Sequence, residues 1–172
     1  GERYAVAAPE LLAGKAQALA LAGRPEEAAA ALHTLEGVFE GLPEEVTSDR
    51  DTHFAWPEDR LRFTETYVHC HLGDVRRAEL ARRRAEQLYP AGDRRGPTQL
   101  GLLHALALVR AGDVGEGVLL AREVMSGLRP ADHVLPTVDL GERVLDAVPP
   151  AQRQRTPVTE FRDCLTAFGA PV

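Results

Sequence analysis

The feature that most constrains this chain is a helix–glycine–helix pattern written three times. It reads Ala18-Leu19-Ala20-Leu21-Ala22-Gly23-Arg24-Pro25-Glu26-Glu27-Ala28, then Tyr67-Val68-His69-Cys70-His71-Leu72-Gly73-Asp74-Val75-Arg76-Arg77-Ala78, then Leu106-Ala107-Leu108-Val109-Arg110-Ala111-Gly112-Asp113-Val114-Gly115-Glu116-Gly117. In each copy an apolar stretch ends at glycine, and a small residue follows five places later. Glycine closes a helix in the left-handed conformation at little cost. Asp74 and Asp113 are suited to cap the helix that follows, and Pro25 to its first turn. Ala28, Ala78 and Gly117 are small enough for two helices to cross closely. The pattern therefore predicts helical hairpins and an all-α fold.

Composition supports that reading. Alanine and leucine dominate and aromatics make up only 5%, which favours helix over strand. With 172 residues, 44% apolar and 27% charged, the chain reads as one soluble domain, 1–172. Helices are predicted over 9–22 and 25–40, 57–72 and 74–89, 97–111 and 114–128, and more weakly 134–148 and 157–168. The hairpins are thus about 9–40, 57–89, 97–128 and 134–168. Val114, Val118, Met125 and Leu128 recur at helical spacing, with Ala121 between them. Helix 97–111 is apolar nearly all round and should be central, covered on both sides. The long connection 41–57 carries Gly41, Pro43, Ser48, Asp49, Asp51 and Pro57, and a loop of that length is usually functional or mobile.

The totals exclude several classes. A net charge of −6 argues against a dedicated nucleic-acid surface. The longest apolar run, around Leu100 to Val109, is far too short to span a membrane, and no secretory leader is recognisable. Cys70 and Cys164 read as two reduced thiols in a cytoplasmic protein. The chain opens on Gly-Glu rather than Met, so it is expected to be a piece of something longer with a residual tag residue or two.

Catalytic signatures do not emerge. The sequence lacks a phosphate-cradling glycine loop ending in Lys-Ser or Lys-Thr, a Gly-x-Ser-x-Gly elbow and a His-Glu-x-x-His pair. Ser48 and Ser126 are the only serines, and neither sits where a nucleophile elbow would. No enzymatic role and no cofactor are expected. His69 and His71 point about 200° apart on a helix, so they do not grip one metal ion together.

Arg76, Arg77, Arg83 and Arg84 fall on one face of helix 74–89, with Glu79 and Glu86 spaced to pair with Arg83 and Arg82. That stripe reads either as a solvated, ion-paired face or as a contact for an acidic partner or a DNA backbone. Trp56, the sole tryptophan, precedes Pro57 and reads as a wedge packing the long loop onto the second hairpin, or alternatively as a ligand-facing aromatic.

The spacing resembles the tetratricopeptide repeat. The second hairpin matches best, through Tyr67, Gly73, Ala78, Ala85 and Pro90. The glycine intervals, 50 residues from Gly23 to Gly73 and 39 from Gly73 to Gly112, depart from the family's repeat of about 34. A narrower resemblance lies in Trp56-Pro57-Glu58-Asp59-Arg60-Leu61-Arg62-Phe63-Thr64-Glu65-Thr66-Tyr67-Val68-His69, Leu88-Tyr89-Pro90 and Gly141-Glu142-Arg143-Val144-Leu145-Asp146-Ala147-Val148-Pro149. These are similar to the C-terminal domain of actinobacterial Xre-type helix-turn-helix regulators.

The resemblance implies a tetratricopeptide-like superhelical array and a non-catalytic sensing and assembly domain of a transcription regulator. DNA would be contacted only through a missing N-terminal helix-turn-helix. The alternative is a peptide- or protein-binding scaffold unrelated to transcription. In tetratricopeptide arrays the first helix of each pair lines the concave side. Carried over, that side would comprise Glu10, Ala13, Gln17 and Leu21, then Arg60, Phe63, Tyr67, Cys70 and His71, then Gln99, Leu102, Leu106 and Arg110. Arg60, Tyr67 and His71 are expected to face a solvent-filled groove open to a peptide, a protein or a small anionic effector, with core packing the rival for Phe63, Leu102 and Leu106. Val158, Phe161, Leu165 and Phe168 on the last helix have little sequence after them, so a homodimer is expected through that uncapped end.

Overall fold

A computed structural model describes residues 2–48, 55–129 and 135–169. The described residues form helices α1 (Glu2–Leu21), α2 (Pro25–Glu40), α3 (Glu44–Ser48), α4 (Glu58–Leu72), α5 (Val75–Leu88), α6 (Arg95–Ala111), α7 (Val114–Ser126), α8 (Leu135–Asp146) and α9 (Thr156–Gly169). A 3-10 turn, Pro150–Gln152, joins the last two. Among the described residues there is no strand. Packing divides the chain into two compact units, Gly1–Leu88 and Tyr89–Val172.

The turn chemistry explains the first three hairpins. Gly23, Gly73 and Gly112 have φ of 68°, 75° and 101°, the left-handed region that side chains avoid. At Gly73 the backbone folds back twice: Gly73 N–H donates to Cys70 O, and Asp74 N–H to His69 O at 3.0 Å. Asp74 then caps α5, its Oδ1 accepting the Arg77 N–H at 3.0 Å. Asp113 occupies the equivalent place before α7, but its side chain makes no capping bond there. An unexpected cap is Asp93, whose Oδ1 accepts from the backbone N–H of Arg95 and Gly96 at 2.9 and 3.2 Å. That cap starts α6 two residues before the predicted Pro97. At the other end of the chain α1 begins at Glu2 instead of residue 9 and runs through Pro9. The alanine-rich stretch before Pro9 is a strong helix former and outweighs the lost N–H.

In the first unit α1 pairs with α2 and α4 with α5, and α4 also packs on α1 and α2. The connection 41–57 contains the short helix α3, which the sequence analysis does not anticipate. Trp56 N–H donates to Val46 O at 2.8 Å, closing the connection on itself. Asp49 and Asp51 of that loop lie outside the described residues. The Trp56 ring is 1% exposed. Its direct partners belong to the first hairpin: Phe39 at 6.0 Å between ring centroids, and Glu10, which accepts the Nε1–H at 3.1 Å. The second hairpin adds Leu61 and Val68 to the same core cluster.

In the second unit α6 pairs with α7, α8 packs on both, and α9 packs on α7 and α8. Helix α6 is thereby covered on two sides, as its apolar circumference predicts, with Leu100, Leu102, Leu103 and Leu106 all fully buried. Two glycines set the closest approaches. A Cβ at Gly117 would stand 2.6 Å from the Ala105 carbonyl oxygen, and one at Gly141 would stand 2.7 Å from Leu165 Cδ2. Val134, at the predicted start of the fourth hairpin, lies outside the described residues. The expected self-association face is corrected here. Val158, Phe161 and Leu165 are buried within one copy of the chain, at 1%, 0% and 6% exposure, and Phe168 is half-buried. Helices α7 and α8, which pack on α9, supply that cover.

Candidate functional site

The residues expected to line one open groove do other work. Gln17 on α1 donates its amide to Thr64 Oγ1 on α4 at 3.5 Å. Arg60 on α4 reaches the Glu10 carboxylate on α1 at 3.5 Å, the same carboxylate oxygen that takes the Trp56 indole. These polar groups fasten α1 to α4. Phe63, Tyr67 and His71 recur every fourth residue and form a ladder of rings, with centroid distances of 6.4 Å and then a stacked 4.2 Å. Arg60 is exposed, Phe63 and Tyr67 are half-buried, and Cys70 and His71 are buried, which for His71 corrects the expectation that it faces solvent. His71 tolerates burial because its ring stacks on Tyr67 and its Nδ1–H donates to the Tyr67 carbonyl at 2.8 Å. On α6, Gln99 is also buried, Leu102 and Leu106 are core, and Arg110 is exposed near the helix end.

A different face of α4 forms the floor of a cleft of about 420 Å³ within the first unit. One wall is α2, through Ala29, Leu32, His33 and Glu36. The other is α5, through Arg77, Leu80, Ala81 and Arg84. Both sets follow the same helical spacing, which brings four residues of each helix onto one face. Glu65 and His69, one turn apart on α4, form the floor. The volume falls in the range of small-ligand and side-chain pockets. Among the residues lining it there is no hydroxyl or thiol, so the cleft offers binding and proton-exchanging groups.

The floor is electrostatically set. Glu65 is buried, and burial pushes its carboxyl above the usual glutamate range even though the Arg62 guanidinium, at 2.6 Å, opposes the shift. The charge of Glu36 pushes in the same direction as burial, and that of Arg84 opposes it. Arg62 also grips Glu58 at 2.8 Å, and these acidic neighbours outweigh its partial burial to hold its pKa above the ordinary value. His69 is held below the usual imidazole value, chiefly by burial and further by the Arg77 charge, against Asp74 and Glu36. A histidine so placed is neutral at pH 7, with one nitrogen to donate and one to accept.

The α5 wall carries the basic stripe read from the sequence. Arg76, Arg77, Arg83 and Arg84 are all exposed. Glu79 pairs with Arg83 at 2.7 Å and with Arg82 at 2.8 Å, and Glu86 pairs with Arg82. Arg77 leans on Asp74 at 3.5 Å. Leu80, between the two cleft arginines, is 52% exposed. Sequence reasoning sought a site on the first helix of each hairpin; the shared spacing of 29, 32, 33, 36 and 77, 80, 81, 84 on the second helices was the available signal.

No described helix is long and apolar enough to cross a membrane. Comparison with known proteins finds no family model, no curated protein and no solved structure that matches this chain.

Proposed function

We propose that this chain is the non-catalytic sensing domain of a cytoplasmic transcription regulator, arranged as a tetratricopeptide-like superhelical array. DNA contact belongs to a helix-turn-helix outside the chain. The observation that carries the sensing role is the cleft on α2, α4 and α5, where apolar, cationic, acidic and imidazole groups converge on one concave surface. The regulatory role rests on the resemblance of the Trp56–His69 stretch, Leu88-Tyr89-Pro90 and Gly141–Pro149 to Xre-type regulators.

The test is cross-linking and immunoprecipitation of the protein expressed from its native gene, with the recovered DNA sequenced. Discrete enriched genomic sites are expected. Uniform recovery would contradict the regulator reading and favour the second one, a protein-binding scaffold unrelated to transcription. What favours that scaffold reading is the exposed leucine framed by arginines on α5, a pattern suited to protein contact.

A further inference from the structure

The cleft has two unlike walls, and the difference specifies what fits between them. Over Val75–Leu88 helix α5 carries five arginines against two glutamates, in a chain whose net charge is −6. The glutamates are engaged by Arg82 and Arg83. Arg84 makes no hydrogen bond or ion pair to a described residue, and its charge reaches Glu65 only at longer range. Between Arg77 and Arg84 stands the exposed Leu80, and beneath it lie the buried Ala81 and Leu32. The opposite wall ends in Glu36, and the floor holds Glu65.

A phosphate backbone suits this badly, because it is charged along its whole length and cannot keep that charge to the one basic wall and away from Glu36 and Glu65. An isolated acid would leave the exposed Leu80 and Ala29 uncovered. An amphipathic helix satisfies both features. Its apolar ridge covers Leu80 and Ala29, the exposed apolar residues of the two walls, and carboxylates along one flank meet the arginine wall. Arg77 and Arg84 lie two turns apart, about 10 Å along the axis, so carboxylates two turns apart on the incoming helix are in register with them.

We propose that the cleft between α2 and α5 docks an acidic amphipathic helix of a partner protein, held by Arg77 and Arg84 around an apolar contact at Leu80. This deepens the sensing reading by naming its ligand class and rests on that reading's choice of cleft, but not on the presence of a DNA-binding part. The experiment is a selection of displayed helical peptides on the whole 172-residue chain. The recovered peptides are then measured by fluorescence anisotropy against the parent, the double variant Arg77→Glu/Arg84→Glu, and Leu80→Asp.

Enriched sequences are expected to be acidic, with apolar residues at three- and four-residue steps. Both variants should bind them at least about tenfold more weakly with an unchanged thermal melt. Enrichment of basic or uncharged peptides, no enrichment at all, or equal binding by the variants would overturn the proposal. So would displacement of the peptides by random-sequence duplex DNA acting through the same arginines, which would make α5 a nucleic-acid wall. Because the selection contains no genomic DNA, its failure leaves the regulator reading standing, and failure of the immunoprecipitation leaves the peptide docking standing.

Discussion

The two units use their interiors differently. In the first, α4 buries Thr64, Glu65, Thr66 and His71, and polar bonds run from it to α1. In the second, α6 buries leucine after leucine, and among the described residues the interior polar ones reduce to Gln99 and Thr137. An apolar interior with glycine at its crossings gains stability from close packing. An interior with a buried carboxylate and a ring ladder spends part of that stability on positioned polar groups. The contrast teaches that the second unit is held chiefly by apolar packing, while the first keeps a polar spine beside a cleft.

The largest expected effect breaks the second unit. Phe161→Ala removes a fully buried ring from between α7, α8 and α9 and is expected to cost about 3–5 kcal/mol in urea unfolding followed by circular dichroism. A loss below 1 kcal/mol would mean that α9 is peripheral. The next tests the polar spine. Arg62→Ala leaves Glu65 buried without its closest cation, at an expected cost of about 3 kcal/mol at pH 7.

The pH dependence of that spine has a definite sign. The folded pKa of Glu65 is raised, so its stabilising contribution is complete below the ordinary glutamate value and is lost as pH rises through the raised one. Glu65→Gln should therefore gain stability relative to the parent on going from acid to neutral pH. A constant difference across that range would show that burial does not govern this carboxyl.

A smaller effect is expected at the loop. Trp56→Phe keeps most of the apolar ring but loses the bond to Glu10, for about 1 kcal/mol. Because Trp56 is the only tryptophan, fluorescence of the parent reports the first unit alone. Its unfolding curve can be compared with that of the whole helical signal. The smallest effect is assigned to the cleft mouth. Arg77→Glu/Arg84→Glu should shift stability by less than about 0.5 kcal/mol, since both side chains are exposed. A larger loss would place these arginines in the framework rather than at a binding surface.

The hairpins were legible because their signals are local. Gly23, Gly73 and Gly112 needed no tertiary partner to be read as helix ends, and Ala28 and Gly117 marked close crossings by size alone. What each helix face meets was not legible. The three- and four-residue steps through Arg60, Phe63, Tyr67 and His71 selected a face of α4 correctly as a face, but not the α1 contacts and ring stacking that occupy it. Phe161 and Leu165 looked uncovered because the helices that cover them, α7 and α8, come earlier in the chain. The cleft escaped notice because it needs three helices at once, and only α5 announced its share through charge.

The most direct test of the account is hydrogen exchange of the whole chain with and without a selected acidic helical peptide. Protection confined to the segments around 29–36, 65–69 and 77–84, with α6 to α9 unchanged, is the expected result. Protection centred on α6 to α9, or on the Phe63–Tyr67–His71 ladder with α5 unaffected, would contradict it.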